Sequence, residues 1–235
     1  MAPSAILEVW ERGAGRTPLE RALELAAAAS PDTPRGALSD LPIGRRDAVL
    51  YALRTRLFGP EMAGLAACPR CDGRIELTVN AADLLAAPAV ESEVDLQVAD
   101  YELRFRPPNS QDLREAAGDG AATAILRRCL IRGECGGVAV AADALPAEVK
   151  DAVMEGMAKA DPLADVQLAL TCPFCEHRWR AGFDIASFLW SEIEAAAARL
   201  LYEVHRLASA YGWSEREILG LSAARRQSYL AMVGE

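Results

Sequence analysis

Two short cysteine pairs constrain this chain more than any other feature of its sequence. The stretch CPRC begins at position 68 and the stretch CPFC begins at position 172, and one hundred residues separate the two pairs. A CxxC turn presents two thiolates to one metal ion, and two such turns complete a tetrahedral four-cysteine zinc site. The proline after the first cysteine stiffens both turns in the same way. The predicted ligands of one Zn²⁺ ion are Cys68, Cys71, Cys172 and Cys175.

The spacing between the pairs is much longer than in a compact zinc ribbon. Apolar residues alternate with polar ones beside each pair, as in half-buried strands. This pattern predicts β-hairpins over residues 62–79 and 166–183, each with a cysteine pair at its tip. We expect the hairpins to pack as halves of one split ribbon. Because four thiolates leave no open coordination position, the predicted zinc is structural and ties two distant segments together.

Two alternatives remain for the cysteines and histidines. The pairs could be unrelated free or redox motifs, although neither CxxC opens a helix in a βαβ unit.

We interpret Cys129 as a buried thiol on a helix and Cys135 as a loop thiol. His177 could replace a ligand, but with four cysteines present we expect it to cap the turn or face solvent. His205 is predicted to be an ordinary helix histidine.

Helix signals dominate the N-terminal sixty residues. Thr17–Glu20 forms a capping box with proline at the first helical position, and the predicted helix runs to about Ser30. The run LPIG at 41–44 opens a second helix, which Gly59 ends. We therefore predict two helices in this segment.

The middle of the chain combines strands and helices. Alternating apolar residues predict a hairpin over 94–98 and 101–105. A helical segment is predicted from Asn109 or Ser110 to about Ile131, interrupted near Gly118–Gly120, and Pro146 starts a shorter helix to about Ala160.

The C-terminal part is predicted to be helical throughout. Apolar spacing indicates a long helix from Ile185 to Tyr211, which Gly212 ends. Ser214–Glu217 is a second capping box, with Trp213 and Ile218 spaced as a hydrophobic staple. A last helix is predicted from Ser222 through Val233.

Together these elements predict an α+β fold that is mostly helical and contains a split zinc ribbon with four cysteine ligands. We divide the chain into four segments within one compact unit. They are an N-terminal helical segment at 1–60, the split ribbon at 61–80 plus 166–183, an α/β insertion at 81–165, and a helical C-terminal segment at 184–235.

Charge and motif content exclude several function classes. The formal net charge is −9, and four thiolates around one Zn²⁺ add a further −2, so phosphate is repelled and nucleic acid is not the expected partner. No apolar run has membrane-spanning length and the N-terminus carries no secretory signal, so we expect a cytoplasmic protein without a membrane partner. The motifs GxSxG and HExxH and a phosphate-binding glycine loop do not occur, and we expect no enzymatic activity and no catalytic residues.

The C-terminal sequence resembles a phage-tail family. The similar residues there are AYGWSE at 210–215, IL at 218–219, LS at 221–222 and RRQSYL at 225–230. Further similarity lies in WERG at 10–13, LPIGRRD at 41–47 and FG at 58–59, which resemble members with paired CPxC motifs. The family comprises the T4-type baseplate hub assembly chaperones and relatives encoded with contractile injection systems.

This resemblance touches most of the chain and implies a non-enzymatic role in building the baseplate of a contractile tail or tail-like particle. The implied partners are baseplate or hub proteins. Many phage members lack the cysteine pairs, so the zinc site carries no functional assignment across the family.

A zinc-ribbon regulator that binds nucleic acid is the alternative function, and an enzyme with an unrecognised site is a third. The regulator is favoured by the basic and aromatic residues near the cysteine pairs, which are Arg70, Arg74, Arg178, Trp179 and Arg180. For the leading hypothesis, we expect partner contact on the C-terminal helices from about Trp190 to Val233. That segment has more large apolar residues than one packing stripe needs, so an exposed apolar patch is predicted there. The alternative is that these residues all turn inward.

Overall fold

The structure is a computed structural model that describes residues 2–86, 90–116 and 120–233. These residues form helices and small antiparallel sheets, which confirms the predicted α+β class. The predicted interruption at Gly118 and Asp119 lies outside the described residues.

The elements are numbered along the chain. The helices are α1 (Pro3–Gly13), α2 (Pro18–Ala29), α3 (Arg35–Asp40), α4 (Ile43–Phe58), α5 (Ala81–Leu85), α6 (Ser110–Glu115), α7 (Ala121–Cys129), α8 (Ala147–Ala160), α9 (Ile185–Tyr211), α10 (Glu215–Gly220) and α11 (Ala223–Met232). The strands are β1 (Glu61–Ala67), β2 (Arg74–Asn80), β3 (Val94–Val98), β4 (Tyr101–Phe105), β5 (Leu130–Cys135), β6 (Val138–Ala139), β7 (Val166–Thr171) and β8 (Arg178–Phe183).

The N-terminal region contains four helices, so the prediction of two was wrong. The helices α2 and α4 lie where they were expected, and the capping box of α2 is formed by Thr17 and Glu20. The unpredicted α1 and α3 have no side-chain hydrogen bond at their N-caps. Pro3 in the first turn of α1 was a start signal that the prediction did not use.

The chain divides into two compact units, of which the first comprises the described residues of 1–28 and 186–235. Leu7 of α1, Ala197 and Leu200 of α9, and Leu219 of α10 form its buried apolar cluster. The amphipathic helices α1, α9 and α10 therefore share one core.

Gly13, the last residue of the WERG stretch, has a packing role in this unit. It ends α1 against the ring of Trp190, and a Cβ placed on Gly13 would lie 2.3 Å from Cη2 of that ring. The guanidinium carbon of Arg21 lies 4.7 Å from the centroid of the same ring, and Trp190 is 3% exposed. The WERG stretch thus serves packing within this unit.

The C-terminal caps follow the prediction. Ser214 and Glu217 form the capping box of α10, and Gly212, at a φ of 67°, ends α9. Trp213 is half-buried, stacked on Tyr211 and edge-on to Tyr229, with ring centroids 4.7 and 4.9 Å apart. The predicted contact between Trp213 and Ile218 stays a prediction.

The second unit comprises the described residues of 29–185 and holds an antiparallel sheet in the order β3-β4-β5-β6. The sheet contributes Leu103 and Phe105 to a buried cluster with residues of α7 and α8. The predicted helix to Ile131 was wrong in its last two residues, because α7 ends at Cys129 and β5 pairs with β4 from Leu130 onward.

The LPIGRRD stretch joins α4 to the rest of this unit. Pro42 forms an isolated bridge with Asn109, and the Gly44 N–H donates to Oδ2 of Asp161 at 2.8 Å. A Cβ on Gly44 would lie 1.8 Å from Oδ1 of Asp161. Glycine at this position therefore lets a buried carboxylate reach the first turn of α4, where unpaired N–H groups favour an anion.

Candidate metal centre

Two β-hairpins carry the cysteine pairs. The strands β1 and β2 pair without a bulge from Glu61 opposite Asn80 to Ala67 opposite Arg74, and Cys68 follows directly. The strands β7 and β8 pair in the same way up to Thr171 opposite Arg178, and Cys172 follows. Both predicted hairpins are confirmed, and each ends in a cysteine turn.

The two cysteine turns have the same backbone geometry. In the first turn, the Cys68 N–H donates to the Gly73 carbonyl at 3.0 Å and the Asp72 N–H donates to the Cys68 carbonyl at 2.9 Å. In the second turn, the corresponding donations run from Cys172 to His177 at 2.9 Å and from Glu176 to Cys172 at 3.0 Å. The two turns therefore repeat the same backbone hydrogen bonds around their first cysteine.

A left-handed residue follows the second cysteine of each pair. Asp72 has a φ of 56° and Glu176 a φ of 57°. Non-glycine residues adopt this region infrequently, and aspartate tolerates it better than glutamate. Nothing in the spacing of the cysteines predicts this detail.

The four sulfurs lie close enough to hold one metal ion. Their Sγ atoms all lie within 4.8 Å of one another, with 3.7 Å between Cys68 and Cys175 and 3.6 Å between Cys71 and Cys172. Tetrahedral zinc with sulfur at about 2.3 Å requires sulfurs about 3.8 Å apart. The predicted ligands Cys68, Cys71, Cys172 and Cys175 therefore come together in a geometry that fits a tetrahedral metal ion.

The thiols of the cluster differ in how readily they ionise. Burial opposes ionisation of Cys172, but N–H groups of Phe174 and Cys175 and the neighbouring thiols outweigh it and lower its pKa to about 7. At Cys71 the Gly73 N–H favours the thiolate, yet the other thiols raise its pKa to about 12. Four thiolates at this separation need a bound cation to balance their charge.

The two cysteine turns also touch through an aromatic ring. A Cβ on Gly73 would lie 2.5 Å from Cδ2 of Phe174 and 3.3 Å from the Cys71 sulfur. The Phe174 side chain of the second turn therefore covers Gly73 of the first while remaining 69% exposed. Sequence reasoning missed this contact, because no local signal links positions so distant.

The hairpins do not form one hydrogen-bonded ribbon. Within the described residues, β1-β2 and β7-β8 are separate two-stranded sheets. They are brought together at their tips by the cysteines and by the contact of Phe174 with Gly73. Within the described residues, contacts at the hairpin tips therefore take the place of strand pairing between the two halves.

The remaining cysteines and histidines lie outside the cluster. The Cys129 thiol is buried at the end of α7, donates to Oδ2 of Asp112 at 3.8 Å, and has its pKa raised to about 12, chiefly by burial. Cys135 is a strand residue at the end of β5 rather than a loop residue, so that expectation was wrong. The His177 ring stacks on Trp179, with centroids 6.0 Å apart, and His205 is exposed on α9.

A buried ionic network beside Cys129 was not predicted. Asp112 is buried and forms ion pairs with Arg106 at 2.6 Å and Arg128 at 2.8 Å. The N–H of Asn109 also donates to it, and despite burial these contacts lower its pKa to about 2. The sequence indicated that Asn109 caps a helix. The arginine partners of Asp112, in contrast, are brought to it by the fold.

Comparison with known protein families, curated proteins and solved structures finds no match to this chain. None of the described helices combines the length and apolar character required to cross a membrane.

Proposed function

We propose that the four cysteines hold one structural zinc ion. The sulfur separations of 3.6 and 3.7 Å carry this proposal, because they approach those of a tetrahedral zinc site. All four coordination positions would be filled by Cys68, Cys71, Cys172 and Cys175, which leaves none for water or substrate. Elemental analysis of freshly purified protein tests the metal: one zinc per chain is expected, and its absence would contradict the proposal.

We further propose that the protein is a non-enzymatic assembly chaperone or structural component of the baseplate of a contractile phage tail or tail-like injection system. Its supports are the resemblance of the AYGWSE, WERG and LPIGRRD stretches and a metal centre that has no open position. The proposed location is the cytoplasm, where such particles are assembled.

The surface of the first unit supplies a candidate contact region for hub or baseplate proteins. Tyr202 on α9 is 59% exposed and Met232 on α11 is 72% exposed, and Leu201 is also exposed. Trp190, by contrast, is buried, so only some of the predicted apolar residues face solvent. Exposed large apolar side chains of this kind mark association surfaces when they are grouped.

A nucleic-acid regulator is supported by a different observation. Arg70, Arg74, Arg178 and Arg180 are all exposed close in sequence to the cysteines. Asp72, Glu76 and Glu176 lie among them, and a Zn²⁺ ion with four thiolates adds a charge of −2. The local charge is therefore near neutral, and we favour the baseplate role because nucleic-acid binding depends on a clear excess of positive charge.

Two experiments test the baseplate role. Deletion of the gene should leave contractile particles unassembled, and the tagged protein should copurify with hub or baseplate subunits. Normal, functional particles in the deletion strain would contradict the proposal. Binding of the wild-type protein to duplex or single-stranded DNA at physiological salt would instead support the regulator.

Surface variants locate the contact. Tyr202→Glu places a charge on the exposed face of α9 and should weaken capture of the baseplate subunit. Val138→Glu is the matched control, because Val138 is 68% exposed on the sheet of the second unit. Equal capture by both variants would move the contact away from the C-terminal helices.

A further inference from the structure

The four cysteine residues of the cluster differ in their exposure to solvent. Cys68 and Cys172 are each 1% exposed and Cys175 is half-buried, whereas Cys71 is exposed. Cys71 is therefore the ligand residue that a reagent from solvent reaches most easily. Access and thiolate character together decide which cysteine is oxidised.

We propose that Cys71 is an oxidation site for hydroperoxides and that Cys172 resolves it as a disulfide between the two cysteine pairs. This inference rests on the metal ion proposed above, whose coordination keeps the sulfurs as thiolates at neutral pH.

The chemistry balances with one molecule of hydroperoxide. The Cys71 thiolate attacks one peroxide oxygen, the O–O bond breaks, and hydroxide or alkoxide leaves, so Cys71 becomes a sulfenic acid. The Cys172 thiolate then attacks the Cys71 sulfur, the S–S bond forms, and the S–O bond breaks with loss of hydroxide. Two electrons pass from the two sulfurs to the peroxide, and water or the alcohol forms when the leaving groups take protons.

The contact between the Cys71 and Cys172 sulfurs favours Cys172 as the resolving residue. The two short sulfur contacts, 3.6 Å from Cys71 to Cys172 and 3.7 Å from Cys68 to Cys175, both run from one pair to the other. A disulfide requires about 2.05 Å, so the Cys71 and Cys172 sulfurs need to approach by roughly 1.5 Å. The expected first product is therefore a cross-link between the pairs and not a bond within CPRC or CPFC.

Oxidation changes the cluster in two ways. Loss of two of four thiolates leaves Cys68 and Cys175 as the remaining ligands, so the affinity for the metal falls and the ion is released. The new bond also joins positions 101 residues apart, so the two hairpins stay linked after the metal has left. Oxidation thus replaces a metal link with a covalent one.

The other two cysteines are poor competitors for the oxidant. Cys129 is fully buried at the end of α7, so a reagent from solvent does not reach its thiol. Cys135 is half-buried at the end of β5 and is the residue to control for.

The test uses the full-length protein and hydrogen peroxide. Metal content is measured first by elemental analysis, so that failure of the zinc proposal is seen before any oxidant is added. One equivalent of peroxide is then added, released zinc is followed with a chromogenic chelator, and disulfides are mapped by mass spectrometry of peptides under non-reducing conditions. Zinc release together with a Cys71–Cys172 linkage is the expected result, and dithiothreitol with added zinc should reverse it.

Two outcomes would overturn the proposal. One is a first disulfide within a pair, and the other is oxidation confined to Cys135 with the zinc retained. Cys135→Ser is the matched control and should release zinc at the wild-type rate with the same linkage. Cys71→Ser should slow the oxidation of Cys172 by peroxide, and oxidation of Cys172 at the wild-type rate in this variant would contradict the role of Cys71.

Discussion

The two metal hairpins and the four-stranded sheet are both built from short antiparallel strands, but they bury very different amounts of apolar surface. In β1, β2, β7 and β8, Met62 is the one buried side chain among the described residues, and the other inward-facing residues are half-buried. In the sheet, Leu103 and Phe105 are buried and pack with Leu126, Val153 and Met157 of the flanking helices.

This difference indicates two separate sources of stability within one unit. A two-stranded hairpin is marginally stable by itself in water, whereas strands that pack against helices are supported by apolar burial. The hairpins therefore need another support, and a metal ion that binds only the folded arrangement supplies it. We infer that the metal maintains the hairpins while the hydrophobic cluster maintains the sheet.

Removal of one cysteine ligand should give the largest effect, a loss of metal affinity that destabilises only the hairpins. Cys172→Ser replaces a buried sulfur of the cluster. Loss of a residue that only hydrogen-bonds a metal ligand lowers metal affinity by up to about 100-fold, so loss of the ligand itself should lower it by more than about 100-fold. Competition with a chromogenic chelator measures this affinity. Cys135→Ser is the control, and equal affinities for the two variants would contradict the ligand assignment.

A substitution in the hydrophobic cluster should destabilise the sheet and leave metal binding unchanged. Phe105→Ala removes a fully buried ring that packs on Gly156, and we expect a loss of about 3–5 kcal/mol in the free energy of unfolding. Urea unfolding measures it, with the exposed Val138→Ala as the control. Loss of metal from Phe105→Ala would show that the two regions are not independent.

Acidification should separate the two regions by pH. Protons compete with metal for thiolates, so the hairpins lose their ion first as the pH falls. The Asp112 carboxyl has a folded pKa of about 2 against the ordinary 3.8, so its contribution of about 2 kcal/mol is present above pH 4 and is lost as the pH falls toward 2. Metal release and urea unfolding, followed in parallel, should show two steps.

The matching variant is Asp112→Asn. It should keep the metal-release step and lack the pH dependence between 4 and 2. Metal release and unfolding in one shared step would contradict the inference that the hairpins and the sheet are stabilised separately.

The smallest effect is expected outside both regions. Ser214 caps α10 by accepting from the Glu217 N–H, and Ser214→Ala should cost about 1 kcal/mol in the free energy of unfolding. Ser209→Ala, at an exposed position of α9, is the control. Metal affinity should be unchanged in both variants, and a decrease in either would extend the influence of the metal beyond the hairpins.

The cysteine ligands and their hairpins were predictable because their signals are local. CPxC spacing reports ligand chemistry directly, and period-two alternation beside each pair reports a half-buried strand. The capping boxes at Thr17 and Ser214 were predictable for the same reason, since cap and partner lie three residues apart.

The features that escaped prediction depend on distant partners. Leu130 and Ile131 continue the apolar spacing of α7, and their strand conformation comes from pairing with β4. The contact of Phe174 with Gly73 and the arginine partners of Asp112 likewise join residues that only the fold brings together.

Hydrogen exchange before and after chelation tests the central claim most directly. Amide protection is measured by mass spectrometry on the zinc-loaded protein and on the protein treated with a chelator under reducing conditions. We predict that residues 61–80 and 166–183 lose protection on chelation, while the paired strands at 101–105 and 130–135 keep theirs. Simultaneous loss of protection in both regions, or unchanged protection in the hairpins, would contradict the account that the metal supports the hairpins and apolar burial supports the sheet.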